Sequence, residues 1–316
     1  MDSSSIDILA IGEPLMEFSS EEEGGLDTAS RYIAGFGGDA SNFAVAARRA
    51  GARVGILTRI GRDPFGDAFM RLWDDEGVDC SLVERDADRP TGVYFISRAD
   101  GRHEFTYYRA GSAASALSHE GLPGRIPAGI RLLHCTGVTQ GISASARDTA
   151  RTAMDAARKA GAVISYDPNY RPLLWPLEEA RAVIHDTVAK ADLVFPSMEE
   201  AAMLTGLDDP EQAARFYLGL GARVVALKLG PQGVLLATNR GLERIPSIKV
   251  RAVDASGAGD AFAGAFAAAY LEGRPLDRCA RFAGAAAALA TTGLGCVGPI
   301  PCRAAAEAAM VGGSKE

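Results

Sequence analysis

Apolar residues fall into short unbroken runs separated by stretches with a helical period. The runs at residues 6–11, 54–58, 130–135, 162–166, 193–195 and 224–229 read as buried strands. A strand covered on both faces needs no polar alternation. Helical patterns lie between them, at 41–50, 64–76, 144–160, 177–190 and 198–205. Two alanine-rich helical stretches, 259–271 and 276–291, come last. Pro64 opens the second helix and Gly77 follows its end, the usual asymmetry of helix termini. Residues 234–237 read as a hairpin partner of 224–229, and 248–253 as a further strand-like run. Strands alternating with helices predict an α/β fold, a mainly parallel sheet with helices on both faces.

Two segments break this rhythm. Residues 13–32 have no helical period, and 89–108 read as two strands, 91–98 and 104–108, around the turn signal Asp100-Gly101. We read them as a small β-layer, about 13–36 and 89–112, set within a single domain spanning 1–316. Such a layer is suited to act as a lid that excludes water. Glu21, Glu22 and Glu23 fall in it and read as a solvated turn.

Composition narrows the function. The chain has 316 residues, 47% hydrophobic and 23% charged, with a formal net charge of −7 and no basic run. Nucleic acid is therefore not an expected partner. A chain of this length buries roughly 75% of its unfolded surface and needs no disulfide or metal to fold. The five cysteines (80, 135, 279, 296, 302) form no C-x-x-C pair, and the four histidines show no metal-ligand spacing. Reduced thiols in a cytoplasm are the expected state. No basic segment precedes the first apolar run, which Asp2 and Asp7 flank, and the most apolar stretch, 257–271, contains Asp260. These features predict a soluble cytoplasmic protein without a membrane span.

The chemistry concentrates in Asp254-Ala255-Ser256-Gly257-Ala258-Gly259-Asp260, between the 248–253 run and an alanine-rich helix. Small residues at a helix start leave backbone N–H groups open, and the helix dipole adds positive potential. An anion fits there, and Asp260 beside it is placed to take a proton from an attacking hydroxyl. Charge developing in phosphoryl transfer would fall on the same N–H groups. Spacing alone equally allows Asp260 to be a buried helix cap. No G-x-x-x-x-G-K-[ST] loop occurs. Gly35-x-Gly37-x-x-Ala40 fits a dinucleotide fingerprint, but the preceding stretch is short and Arg59, not an acid, ends the next strand.

The 254–260 segment resembles the C-terminal signature of the ribokinase-like (PfkB) carbohydrate kinases. Gly37-Gly38-Asp39-Ala40-Ser41-Asn42 resembles the N-terminal one. Gly12-Glu13, Gly61-Arg62-Asp63-Pro64-Phe65-Gly66, Asp167-Pro168-Asn169 and Lys228-Leu229-Gly230-Pro231-Gln232-Gly233 extend the resemblance along essentially the whole chain. It implies a ribokinase-like fold with a β-sheet lid, ATP and magnesium as cofactors, and Asp260 as base. Gly257, Ala258 and Gly259 would form the anion hole. Gly37, Gly38, Asp39, Asn42, Tyr94, Tyr107, Arg109 and Arg171 would meet the sugar. Asn169, Arg171, Ser197, Lys228, Gly230, Gly233 and Ser256 would meet ATP. Glu200 would serve magnesium indirectly, although Ser197 stands where the family motif has Asn. Asp254 and Ser256, with carbonyls from 292–298, would hold a potassium ion. Family lids pair between subunits, which implies a homo-oligomer.

Tyr107 and Arg109 share one face of a strand by alternation, which suits a polyol bearing a carboxylate. Tyr107-Tyr108-Arg109-Ala110-Gly111-Ser112-Ala113-Ala114, Gly12-Glu13-Pro14-Leu15-Met16-Glu17-Phe18 and Asn169-Tyr170-Arg171-Pro172-Leu173-Leu174-Trp175 look most like 2-keto-3-deoxygluconate kinases. Fructokinases share parts of all three. A sugar-binding sensor without catalysis is the alternative of a different class.

Overall fold

A computed structural model of the chain describes residues 6–99, 102–120 and 122–312. The expected Asp100-Gly101 turn lies outside them. Thirteen strands are present among the described residues: β1 (Ile8–Ile11), β2 (Leu15–Glu23), β3 (Tyr32–Gly37), β4 (Val54–Gly61), β5 (Val83–Asp86), β6 (Gly92–Ala99), β7 (Arg102–Tyr108), β8 (Leu132–Thr136), β9 (Val163–Asp167), β10 (Leu193–Val194), β11 (Val224–Lys228), β12 (Val234–Thr238) and β13 (Gly241–Ile245). Nine form the large sheet, in the order β13-β12-β11-β10-β9-β8-β1-β4-β5. Its pairings are parallel from β5 to β11, and β12 and β13 add on antiparallel. Helices cover both faces, with one apolar core on each side. The unbroken apolar runs are explained by this double cover: β1, β8 and most of β11 are buried throughout.

The chain leaves β1 for β4 on one side, then returns to β8 on the other. Connections part at that point, where open α/β sheets generally place a binding crevice, at the C-terminal ends of the central strands. Thr136 ends β8, Asp167 ends β9 and Lys228 ends β11, all at this edge.

The remaining four strands form the expected β-layer, in the order β3-β2-β6-β7. β2 and β6 run parallel, and the outer pairs are antiparallel. Glu21, Glu22 and Glu23 belong to β2 rather than to a turn. One expected strand is not formed. Residues 248–253 join no ladder, with Val250 36% and Val253 52% exposed. β-branched residues favour extension, but without a neighbouring strand the extension stays a loop.

Two helices bring the site together. The Ala258–Leu271 helix packs against the Asp39–Arg49 helix through small residues. A Cβ at Gly264 would sit 2.6 Å from the Phe43 carbonyl and 2.8 Å from the Ala46 Cβ. The bare Cα is what lets the two helix N-termini converge.

Candidate active site

That convergence puts Asn42 Nδ2 2.8 Å from Asp260 Oδ2. Asp260 lies in the first turn of its helix, whose N-cap is Gly257 at φ 72°. A Cβ there would meet Cys296 at 3.0 Å. A left-handed residue pressed against a neighbour admits only glycine at this position. The Ala258 N–H already donates to the Ala255 carbonyl at 3.3 Å, inside its own turn. Asp254 fixes the turn from below: its carboxylate accepts Ser256 N–H at 2.9 Å and Gly295 N–H at 3.0 Å.

Asn169 approaches Asp260 from the other side. Its own N–H donates to Asp167 Oδ1 at 3.0 Å, closing an Asx turn. The turn holds Asn169 at φ 37°, the sole positive φ outside glycine among the described residues. Asn tolerates that conformation better than most residues. Its Nδ2 then lies 3.5 Å from Asp260 Oδ1. Asn169, expected on the nucleotide, thus faces the candidate base.

Burial pushes the Asp260 carboxyl up to about 7. The nearby charge of Asp39 adds to that shift, and the Asn42 hydrogen bond opposes it. A carboxylate so tuned exchanges protons near neutral pH. Asp39 is also raised by burial, while the Thr136 hydroxyl donates to its Oδ2. Asp39 Oδ1, Asn42 Oδ1 and Asn169 Oδ1 are buried and have no hydrogen-bond partner. Unmatched polar atoms are costly, and three gathered around one carboxylate fit the hydroxyls of a polar ligand.

Beyond Asp260, Lys228 Nζ meets Asp167 Oδ2 at 2.6 Å. Arg171 Nη1 meets Glu200 Oε1 at 3.1 Å, with its side chain 47% exposed. Ser197 caps the Met198–Thr205 helix in a reciprocal capping box with Glu200. Its hydroxyl is occupied there by the Glu200 N–H. Gly230 and Gly233 bracket a short turn after β11. Among the described residues no group of three or more His, Cys, Asp or Glu is placed to hold a metal ion.

Several expected ligand contacts are engaged otherwise. A Cβ at Gly38 would strike the Glu13 carbonyl and Pro14, so chain packing by itself demands glycine. Tyr94 is 4% exposed and donates its hydroxyl to Glu17, with Cys296 Sγ 3.4 Å away. Its ring stacks on Tyr107 at 5.6 Å and lies over Gly37. Arg109 lies just past the end of β7 and pairs with Glu13, which is fully buried. The guanidinium keeps company with Tyr107, 5.4 Å from the ring centroid. A carboxylate without solvent needs a counter-charge, and Arg109 supplies it. Arg109 Nε and Nη2 and Glu13 Oε2 nevertheless make no hydrogen bond. Glu13, Glu17, Thr136, Asp167 and Cys296 were not among the expected site residues. Glu13, Glu17 and Asp167 stood inside motifs of the sequence, and their burial is the signal that a motif alone does not carry.

A family model described as pfkB family carbohydrate kinase matches residues 5–303. The chain belongs to this family and is an ATP-dependent sugar kinase of ribokinase-like fold. The 2-dehydro-3-deoxygluconokinase of Thermoproteus tenax is 36% identical over 90% of this chain and 88% of its own. The one from Bacillus subtilis is 38% identical over 85% and 84%. Fructokinase-1 of Oryza sativa is 33% identical over 93% and 94%. A putative ribokinase II from E. coli, solved with ATP and magnesium, superposes with a TM-score of 0.91 at 27% identity, covering 97% of this chain and 99% of that one.

Proposed function

We propose that the chain transfers the γ-phosphoryl group of ATP to a hydroxyl of 2-keto-3-deoxygluconate, the 2-dehydro-3-deoxy sugar acid, giving its 6-phosphate. The observation that carries the chemistry is Asp260, held by Asn42 at a helix N-terminus with unpaired polar atoms around it. Asp260 takes the proton of the attacking hydroxyl. The N–H groups of Gly257 and Gly259, with Ala258 once its 3.3 Å turn bond yields, receive the charge on the transferred group. Asp39, Asn42 and Asn169 orient the sugar. Lys228, Arg171 and the Gly230–Gln232 turn face the nucleotide. Magnesium, when bound, neutralises triphosphate charge. Asp254, bridging the 256 and 295 backbones, fixes the loops whose carbonyls suit a potassium ion.

The sugar acid is favoured over fructose by the two relatives at 36% and 38% identity and by Arg109 and Arg171 beside Tyr107. Fructose is the second reading, because the rice fructokinase matches over 93% of the chain. A coupled ADP-release assay over sugars and sugar acids tests both. The expected result is the highest kcat/KM with 2-keto-3-deoxygluconate, and preference for fructose would replace it.

A further inference from the structure

We infer that Asp167 is a positioning residue that aims the Lys228 ammonium at the phosphoryl group in transfer. This rests on the reading of Lys228 as facing the nucleotide. Asp167 and Lys228 end β9 and β11, with β10 between them, and neither strand end can approach the other directly. Their side chains close the gap at 2.6 Å while only 2% and 17% exposed. Both Asp167 oxygens are committed, one to the ammonium and one to the Asn169 N–H at 3.0 Å. One carboxylate therefore anchors the lysine and the Asx turn that points Asn169 at Asp260.

The ammonium sits where it would not rest by itself. A Cβ on Gly259 would lie 3.1 Å from Nζ, so the charge presses on the first turn of the Ala258–Leu271 helix. The dipole of that helix is positive at this end, and a cation there is repelled. Burial also works against the Lys228 charge, and Asp167 and Glu200 outweigh it. An ammonium has three N–H donors, and Asp167 takes one. The others remain beside the glycine turn, where an incoming phosphate would complete their shell. Asp167 thus holds a cation against an unfavourable field until an anion arrives.

A double-mutant cycle with Lys228→Met, Asp167→Asn and the pair tests this, reading kcat, both KM values and melting temperature. Lys228→Met is expected to lower kcat and raise the KM for ATP. Asp167→Asn is expected to lower kcat by about tenfold or more, with sugar KM within about threefold. In the Lys228→Met background it should then change kcat by less than about threefold. Equal loss in both backgrounds, or wild-type kcat in Asp167→Asn, overturns the inference. Near-wild-type Lys228→Met overturns the lysine reading instead. Should Asp167→Asn not fold, Asp167→Glu keeps the charge but displaces the ammonium. A lowered kcat at unchanged sugar KM supports the inference there, and wild-type kcat refutes it.

Discussion

The floor and the roof of the crevice spend their polar groups differently. On the floor, Asp260 is held by two side-chain amides, and three neighbouring oxygens have no partner. On the roof, Glu17 and Tyr94 bond to each other and reach Cys296 of the 292–298 loop, and Glu13 takes a hydrogen bond from Ser112 at 3.0 Å, while Glu13 Oε2 and Arg109 Nε and Nη2 meet as an ion pair without a hydrogen bond. Buried polar atoms left unpaired are reserved for something absent, whereas closed networks hold a frame. The unpartnered atoms of the roof lie within one ion pair, Glu13–Arg109, whereas those of the floor belong to three separate residues near Asp260 and suit the proposed ligand. Arg109 stands between the two, paired in charge with Glu13 yet with neither Nε nor Nη2 in a hydrogen bond.

The sharpest break of that contrast is Asp260→Asn. If the floor does the chemistry, kcat falls by about 10²- to 10⁴-fold while ATP still binds. Activity within threefold of wild type would remove Asp260 as base. The same variant has a stability signature. Asp260 titrates at about 7 in the fold against about 3.8 for an ordinary aspartate. Between those values the folded state keeps a proton the unfolded chain has lost, so this group's contribution falls as pH rises. Asp260→Asn should therefore melt higher than wild type at pH 8, with the gap closing towards pH 4.

Next in size is Arg109→Ala. A charge-assisted pair is worth about 1.5–3 kcal/mol, so KM for 2-keto-3-deoxygluconate should rise about 10- to 150-fold. Activity on neutral fructose should change far less. Glu13→Gln separates the roles, because it removes the internal carboxylate and leaves the guanidinium. If Arg109 only pins the lid, both variants damage both substrates alike.

Legibility in the sequence followed local signals, in the large sheet and the β-layer alike. Helix Pro64–Glu76 was readable end to end, because Asp63 caps it, Pro64 starts it and Gly77 takes the left-handed turn that ends it. The Asp260 turn was readable for the same local reasons. Pro210–Leu220 was missed although Asp209 and Pro210 mark its start, and Arg303–Gly312 was missed as well. β5 and β13 carry mostly half-buried or exposed residues, so no apolar period announces them. The acid partners were illegible for another reason. Glu13 meets Arg109, and Asp167 meets Lys228 across 61 residues. Only the assembled sheet edge puts them in contact.

A pH profile gives a smaller, graded test of the floor. Asp260 must be deprotonated to accept a proton, and Asp39 and Asp167 raise it while Asn42 and Lys228 oppose them. Arg171 and Cys296 also lie within its electrostatic reach. kcat/KM should therefore climb as pH rises through about 7 and fall about tenfold per unit below it. A flat profile from pH 5.5 to 8 would detach the base from Asp260.

The smallest effect is expected at Tyr94, where the roof's character is decided. Tyr94→Phe keeps the ring stacked on Tyr107 and deletes the hydroxyl that donates to Glu17. Glu17 is already raised by burial, and it retains the Cys296 thiol at 3.3 Å. Losing one of two donors should cost about 1 kcal/mol of stability. In a chain of this size that lowers the melting temperature by about 2 °C. Sugar KM should stay within about twofold, because the hydroxyl is spent inside the lid rather than offered to the crevice. A tenfold rise in KM at unchanged melting temperature would reverse the assignment. Tyr94 would then contact the sugar, and the lid would be a binding surface in its own right.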